Sequence, residues 1–207
     1  HTTGRGQHVD ISILDAQVSL LNYMATMYFL SGDIPDKLGN GHFVHVPYDT
    51  FQCSDGFIII AVITDNFWTA LMEVVDAPDL NTEENKGQPG RWKNKLLINQ
   101  RLNEILSTNT QKHWLDKMQA KRIPCAPVNN VAQALADEQV ISRNMVIEVE
   151  HPLGGKAKMP GNPVKLSDTY EDTFSPPPTL GQHNDEVYAS IGLTAEDLKS
   201  LQEAGVI

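Results

Sequence analysis

The stretch VPYDTFQCSDGFIIIAVI, residues 46–63, constrains the fold more than any other segment. Two runs rich in aromatic and β-branched residues, 48–53 and 57–63, flank Ser54-Asp55-Gly56, a turn sequence. That order predicts an antiparallel hairpin. The second run, FIIIAVI, is the longest apolar stretch in the chain and is far too short to span a bilayer. Predicted helices come after this hairpin in the sequence.

Those helices follow directly. Thr64 can cap a helix running through Val75 (TDNFWTALMEVV). Residues 76–93 are polar and broken. Further helices are predicted at 93–107 and from Thr110 to about Lys121, the latter capped by Asn109 or Thr110. IPCAPV, 123–128, must be extended, because its two prolines exclude helix. NNVAQALAD and EQVISRN read as two short helices split near Asp137. VIEVEHPLGGKAKMPG reads as a second hairpin with Leu153-Gly154-Gly155 at its turn. Residues 160–180, ending PPPTLG, are linker-like. Two short helices close the chain, about His183–Ile191 and Thr194–Ala204; Thr194 with Asp197 resembles a capping box, and Gly205 ends the second helix.

Upstream of the hairpin, residues 1–9 form a Gly-rich opening. Ile13, Leu14, Val18, Leu21, Met24, Tyr28 and Phe29 recur at three- and four-residue spacing, which predicts one helix over Ser12–Ser31. Asp10 or Ser12 can cap it, and Gly32 can stop it. Almost every turn carries two or more apolar residues, so the helix is expected to be buried on most sides, against another body. The opening HTTGRGQHVDISILDA has no Met and no leader pattern, as expected of the continuation of a longer chain. The fold class is α+β: a long helix, a compact body at about 40–150, a proline linker and terminal helices.

Charge narrows the partners. Sixteen Lys and Arg against 26 acids give a net charge of −10. Nucleic acid is not expected, because phosphate binding needs clustered cations, and a strong grip on a polyanionic cofactor by this chain alone is not expected either. Cys53 and Cys125 lie far apart with no CxxC, which reads as free thiols in a reducing compartment. An intracellular protein with no membrane association follows as the expectation.

The loop GNGHFVHVPY holds Gly39, Gly41, His42 and His45. Paired glycines let backbone approach a ligand closely, and either His could titrate near neutral pH. An ordinary turn before a strand explains the same residues. His42-x-x-His45 lacks a third ligand nearby, so no metal site is expected. Among Asp10, Asp15, Asp49 and Asp55 no pair stands out as general acid and base. Arg5 in TGRGQ reads as a surface residue on a tight turn, since that glycine pattern follows no strand. Cys125, bracketed by prolines with no local base, reads as a packed thiol; Trp68 and Trp114 read as core.

Taken in order, several segments resemble family III CoA-transferases, the group that contains formyl-CoA transferase, the carnitine CoA-transferases and alpha-methylacyl-CoA racemase. They are TGRGQHVDISILDA; GNGHFVHVPYDTFQCSDGFIIIAV with a following FW; RWKNKLLINQRLNEIL; HWLDKMQAKRIPCAPVNNVAQALADEQVISRNM; HPLGGKAKMPGNPVKLSDT; and PPPTLGQHNDEV. Together they cover essentially the whole chain and resemble the C-terminal portion of the family. The resemblance implies a small α+β domain at 39–160. It also implies an opening turn and helix (1–38) and C-terminal helices (181–207) that belong to a Rossmann-like large domain, with a linker at 161–180. It implies interlocked subunits, hence a homodimer or association with an N-terminal half, in the cytoplasm. The activity implied is movement of CoA between an acyl-CoA thioester and a carboxylic acid. The family's catalytic aspartate lies upstream of the TGRGQ motif, so no catalytic residue is assigned here and the chain alone is expected to be inactive. For the site, the resemblance points to Gly39, Asn40, Gly41 and His42, in the loop that faces the active site, and to Ile13 on the helix near the CoA pocket. His45 and Tyr48 lie beside the same loop. An acyl-CoA racemase of the same family, or a naturally short non-catalytic partner subunit, are the alternatives.

Overall fold

The structure is a computed structural model that describes residues 4–169 and 174–207. It divides into two compact units, His1–Val128 and Asn129–Ile207.

In the first unit the predicted hairpin forms from β1 (Tyr48–Cys53) and β2 (Gly56–Ala61), paired antiparallel from Tyr48 opposite Ala61 to Cys53 opposite Gly56. The IPCAPV segment supplies β3 (Cys125–Pro127), which pairs antiparallel with β2 and gives the sheet order β1-β2-β3. Side chains alternate across a strand. Phe51 and Cys53 of β1 and Ile58 and Ile60 of β2 are therefore buried, while Phe57 and Ile59 stay on the open face.

Helices cover the buried face. In α3 (Asp65–Val75), Trp68, Leu71, Met72 and Val75 recur at three- and four-residue spacing and are all buried, and the Thr64 hydroxyl accepts from the Phe67 N–H as N-cap. Ile98, Leu102 and Leu106 do the same on α5 (Lys95–Leu106). Trp114 and Met118 do so on α6 (Gln111–Ala120), which Thr110 caps. The Trp114 indole N–H finds the Leu106 carbonyl at 2.8 Å, so the large ring is buried without leaving its donor unpaired.

Two expectations are corrected in this unit. The stretch 76–93 is more ordered than its polarity suggests: a 3-10 turn at Glu84–Lys86 leads into α4 (Gln88–Lys93), with Pro89 in the first turn where its missing N–H costs nothing. A Cβ on Gly90 would run into the Glu84 carbonyl, so α4 packs directly on that turn. The single helix expected over 12–31 is broken into α1 (Ile13–Leu20) and α2 (Tyr23–Ser31) by Asn22, whose φ is +46°. Within this chain neither helix has a buried residue, and Ile13 and Phe29 are 82% and 81% exposed. Within the unit these helices are covered only in part, as where Tyr23 of α2 meets Phe43, ring centroids 5.3 Å apart.

The second unit is smaller. It holds α7 (Val131–Leu135), α8 (Glu138–Ser142), the hairpin of β4 (Val146–His151) and β5 (Gly155–Pro160), then α9 (Asn184–Ser190) and α10 (Ala195–Glu203). Asp137 is the N-cap of α8, which is why the helical region splits there. Thr194 and Asp197 form the expected capping box. Among its described residues, only Ile147, Val149 and Leu198 are buried hydrophobics. Among the described residues, no helix of the chain is long and apolar enough to cross a membrane.

Candidate functional site at the loop before the first strand

The Gly/His loop runs from Leu38 into β1 and is held by its own backbone. Gly39 adopts a φ of +61°, and the Gly41 N–H closes a turn on the Leu38 carbonyl at 3.0 Å. The Asn40 amide donates to the Thr50 hydroxyl at 3.1 Å, and the His42 N–H donates to the Tyr48 carbonyl at 2.9 Å. Beyond the loop, the Val46 N–H donates to the Gln88 side chain at 3.0 Å and the Val46 carbonyl accepts from Arg91 Nε at 2.9 Å. Arg91 is fully buried. It also donates to the Asn85 and Lys86 carbonyls and to Asp65 at 2.7–2.9 Å, and its guanidinium lies 5.2 Å from the Trp68 ring centroid. One cation thus ties the loop exit, the 84–86 turn and the start of α3 together.

His42 is the centre of the loop. Its Nδ1 accepts from the backbone N–H groups of Val44 and His45, at 3.0 and 3.1 Å. That atom must keep its lone pair, so the neutral ring carries its proton on Nε2. The ring stacks on Phe43 and Tyr48, with centroids 4.4 and 4.9 Å away and planes 19° apart in both cases. Burial first, then the nearby His45 and the Lys95 ammonium, hold its pKa below the ordinary histidine value. The arrangement favours a neutral imidazole. His45 lies 4.8 Å from it, ring to ring, and its own Nδ1 is buried with no hydrogen-bond partner among the described residues.

Gly41 marks a close approach. A Cβ there would sit 3.0 Å from Asp49 Oδ2, 3.1 Å from Lys95 Nζ and 3.2 Å from the Leu38 carbonyl, so a side chain would crowd three polar atoms at once. Asp49 accepts from the Thr50 N–H at 2.8 Å and the Asn99 amide at 3.3 Å. The Lys95 ammonium lies 4.9 Å from the Trp92 ring centroid.

Among the described residues, two of the cavities beside the loop adjoin one another. An apolar groove of about 500 Å³ is lined by Met24, Met27 and Tyr28 of α2 with Leu38, Phe43 and Trp92. A wider, more polar recess of about 900 Å³ is lined by Lys37, Asp49, Lys95, Leu96 and Asn99. They share Pro35, Asp36 and Leu38. The volumes suit a small organic ligand.

Of the residues expected from sequence, Gly39, Asn40, Gly41 and His42 are brought together in this loop, with His45 and Tyr48 against His42. Ile13 is exposed on α1 and lines neither cavity. Sequence reading missed Arg91, Trp92, Lys95 and Asn99. The signal was present in RWKNKLLIN, where Trp92 and Lys95 stand three apart, but the place of Lys95 beside Gly41 depends on a contact between segments far apart in the sequence. Both cysteines are free. Burial, with Asp55 adding to it, pushes the Cys53 thiol up to about 11, and burial raises Cys125 too, so both behave as packed thiols rather than nucleophiles. Among the described residues no three His, Cys, Asp or Glu side chains gather as a metal site requires.

Comparison with known proteins identifies the group. The sequence pattern of CoA-transferase family III matches residues 1–184, and the chain belongs to that family. It is 29% identical over 210 residues to the succinyl-CoA:glutarate CoA-transferase of Homo sapiens, covering 100% of this chain and 48% of that protein. With the succinyl-CoA:mesaconate CoA-transferase of Haloarcula marismortui it shares 31% over 192 residues, 92% of this chain and 48% of the other. With the acetyl-CoA:oxalate CoA-transferase of Acetobacter aceti it shares 34% over 179 residues, 84% and 44% respectively. The crystal structure of a CaiB/BaiF family protein from Brucella suis superposes with a TM-score of 0.76 at 27% identity, covering 92% of this chain and 49% of that one. The mixed α/β architecture with small sheets is shared with that structure. The chain spans about half the length of the curated relatives it matches.

Proposed function

We propose that this chain works within a CoA-transferase that moves CoA from an acyl-CoA thioester to a carboxylic acid. The observation that carries the reading is the family match along residues 1–184. The named relatives support it, since each is a CoA-transferase and each acid in their names (glutarate, mesaconate, oxalate) carries two carboxylates. A dicarboxylic acid is accordingly the substrate class proposed here.

CoA is the co-substrate in this reading, and no metal takes part. The loop Gly39-Asn40-Gly41-His42, with its two glycines and its neutral imidazole, faces the acyl-CoA; Ile13 on α1 contacts the same ligand. Residues 39–160 act as the small domain, with 1–38 and 181–207 joined to a Rossmann-like large domain through the linker 161–180. The exposed apolar faces of α1 and α2 support a further part of the reading, that they are covered in a homodimer or by an N-terminal half. The protein works in the cytoplasm.

The test is isotope exchange with the natural protein that contains this chain. Labelled glutarate incubated with succinyl-CoA should yield labelled glutaryl-CoA with release of succinate. Absence of transfer to any carboxylic acid, with deuterium instead entering the carbon next to the thioester, would replace the reading with the racemase of the same family.

A further inference from the structure

We propose that Lys95 selects the acid substrate: its ammonium pairs with the carboxylate that does not react, so dicarboxylic acids are taken over monocarboxylic ones. The proposal rests on the CoA-transfer reading above and names the residue that enforces its substrate class.

The first ground is a lysine that holds no carboxylate. The chain carries a net charge of −10, and several cations of the folded body already hold carboxylates. On the helices around it, Arg91 holds Asp65 at 2.7 Å, Lys93 holds Glu84 at 2.8 Å and Arg101 holds Asp79 at 3.0 Å. Among the described residues, Lys95 has no carboxylate within ion-pair distance. Asp36, Lys37 and Asp49 line the same recess, and the Asp49 oxygens are engaged by neutral donors, the Thr50 N–H and the Asn99 amide. Lys95 rests instead on the Trp92 ring, 4.9 Å from its centroid, a contact that fixes a cation without neutralising it.

The second ground is place. Lys95 Nζ stands 3.1 Å from the position of a Cβ on Gly41, against the backbone of the loop assigned to the acyl-CoA. It lines the wider recess with Leu38 and Leu96, whose apolar surfaces suit the methylenes of a short acid. Trp92 lines the adjoining groove, so the Trp92–Lys95 contact lies where the apolar and polar halves meet. An acid of four or five carbons would lay its chain on the apolar wall and its far carboxylate on the ammonium. A monocarboxylic acid of equal length leaves the ammonium without that partner. A charge-assisted hydrogen bond at a half-buried cation separates the two by about 10- to 100-fold.

Two measurements test this. The natural protein that contains this chain is titrated with glutarate and with butyrate by NMR, as wild type, Lys95→Gln and Lys95→Arg, with thermal melts confirming that each variant folds. Glutarate should move the Lys95 side-chain signals and bind at least tenfold more tightly than butyrate. Lys95→Gln should abolish that difference and Lys95→Arg should keep it. Equal binding of the two acids, binding of neither, or a preference that survives Lys95→Gln overturns the assignment of Lys95. Separately, the natural protein is assayed for CoA transfer to both acids. Transfer that is indifferent to Lys95→Gln removes Lys95 and leaves the CoA-transfer reading intact, whereas failure to transfer to any acid removes that reading itself.

Discussion

The chain holds two antiparallel hairpins of equal strand length and opposite fate. The strands β1–β2 and β4–β5 each pair six residues with six. In the first, α3, α5 and α6 close over one face, and Phe51, Ile58 and Ile60 lose all contact with water. In the second, only Ile147 and Val149 are buried, while β5 (GKAKMP) is exposed at every position but Met159. Local pairing rules are met equally well in both. The difference lies in what covers them, and it teaches that a turn and an alternating pattern specify a hairpin whereas stability comes from the body packed on it.

That contrast can be broken or sharpened by mutation. The largest effect is expected from Arg91→Met, which leaves the Val46, Asn85 and Lys86 carbonyls without their buried donor. A loss of about 3–5 kcal/mol is expected. Trp68, Trp92 and Trp114 all lie in the first unit, so tryptophan fluorescence during urea unfolding reports that unit alone. Next comes the pair of hairpins compared directly. Ile58→Ala, at a site with no exposure, should cost about 3–5 kcal/mol. Ile147→Ala, in the thinly covered hairpin, should cost about 2 kcal/mol, read by hydrogen exchange along β4, and should leave the fluorescence transition unmoved. Equal costs would mean the second hairpin is covered as well as the first. Thr194→Ala removes one half of the capping box and should loosen the first turn of α10 by about 1 kcal/mol, seen as faster amide exchange there and nowhere in the first unit.

The smallest effect expected concerns pH. The folded His42 has a pKa below its ordinary value, so the unfolded chain takes up the proton first as pH falls. The contribution of His42 to stability is therefore complete above about pH 6.5 and declines as pH drops from there toward the lower folded value. Because Lys95 is one cause of the depression, Lys95→Gln should raise the His42 pKa toward normal in an NMR titration. An unchanged titration would mean that burial and His45 alone set it.

The sequence was most informative where local chemistry decides the outcome. The Ser54-Asp55-Gly56 turn, the Thr64 and Thr110 caps, the proline-enforced strand at 125–127 and the Thr194–Asp197 box all depend on neighbours within a few residues, and all are present. It was least informative where partners are distant. Nothing local in QPGRWK announces that Arg91 is buried, because its acceptors come from Val46, Asn85, Lys86 and Asp65. The break at Asn22 also escaped the apolar pattern, since Leu21 and Met24 keep helical spacing on either side of it. The loop 39–42 stood out by its glycines and histidine, but Lys95, Asn99 and Trp92 beside it did not, because α4 and α5 reach the loop only through the tertiary fold.

The central claim is that the Gly39–His42 loop faces acyl-CoA. It is tested most directly by photo-crosslinking the natural protein with a diazirine-bearing acyl-CoA and mapping the labelled peptides, with free CoA as competitor. The account predicts competable label on residues 38–48. Competable label confined to residues 129–207, with none on that loop, would contradict it.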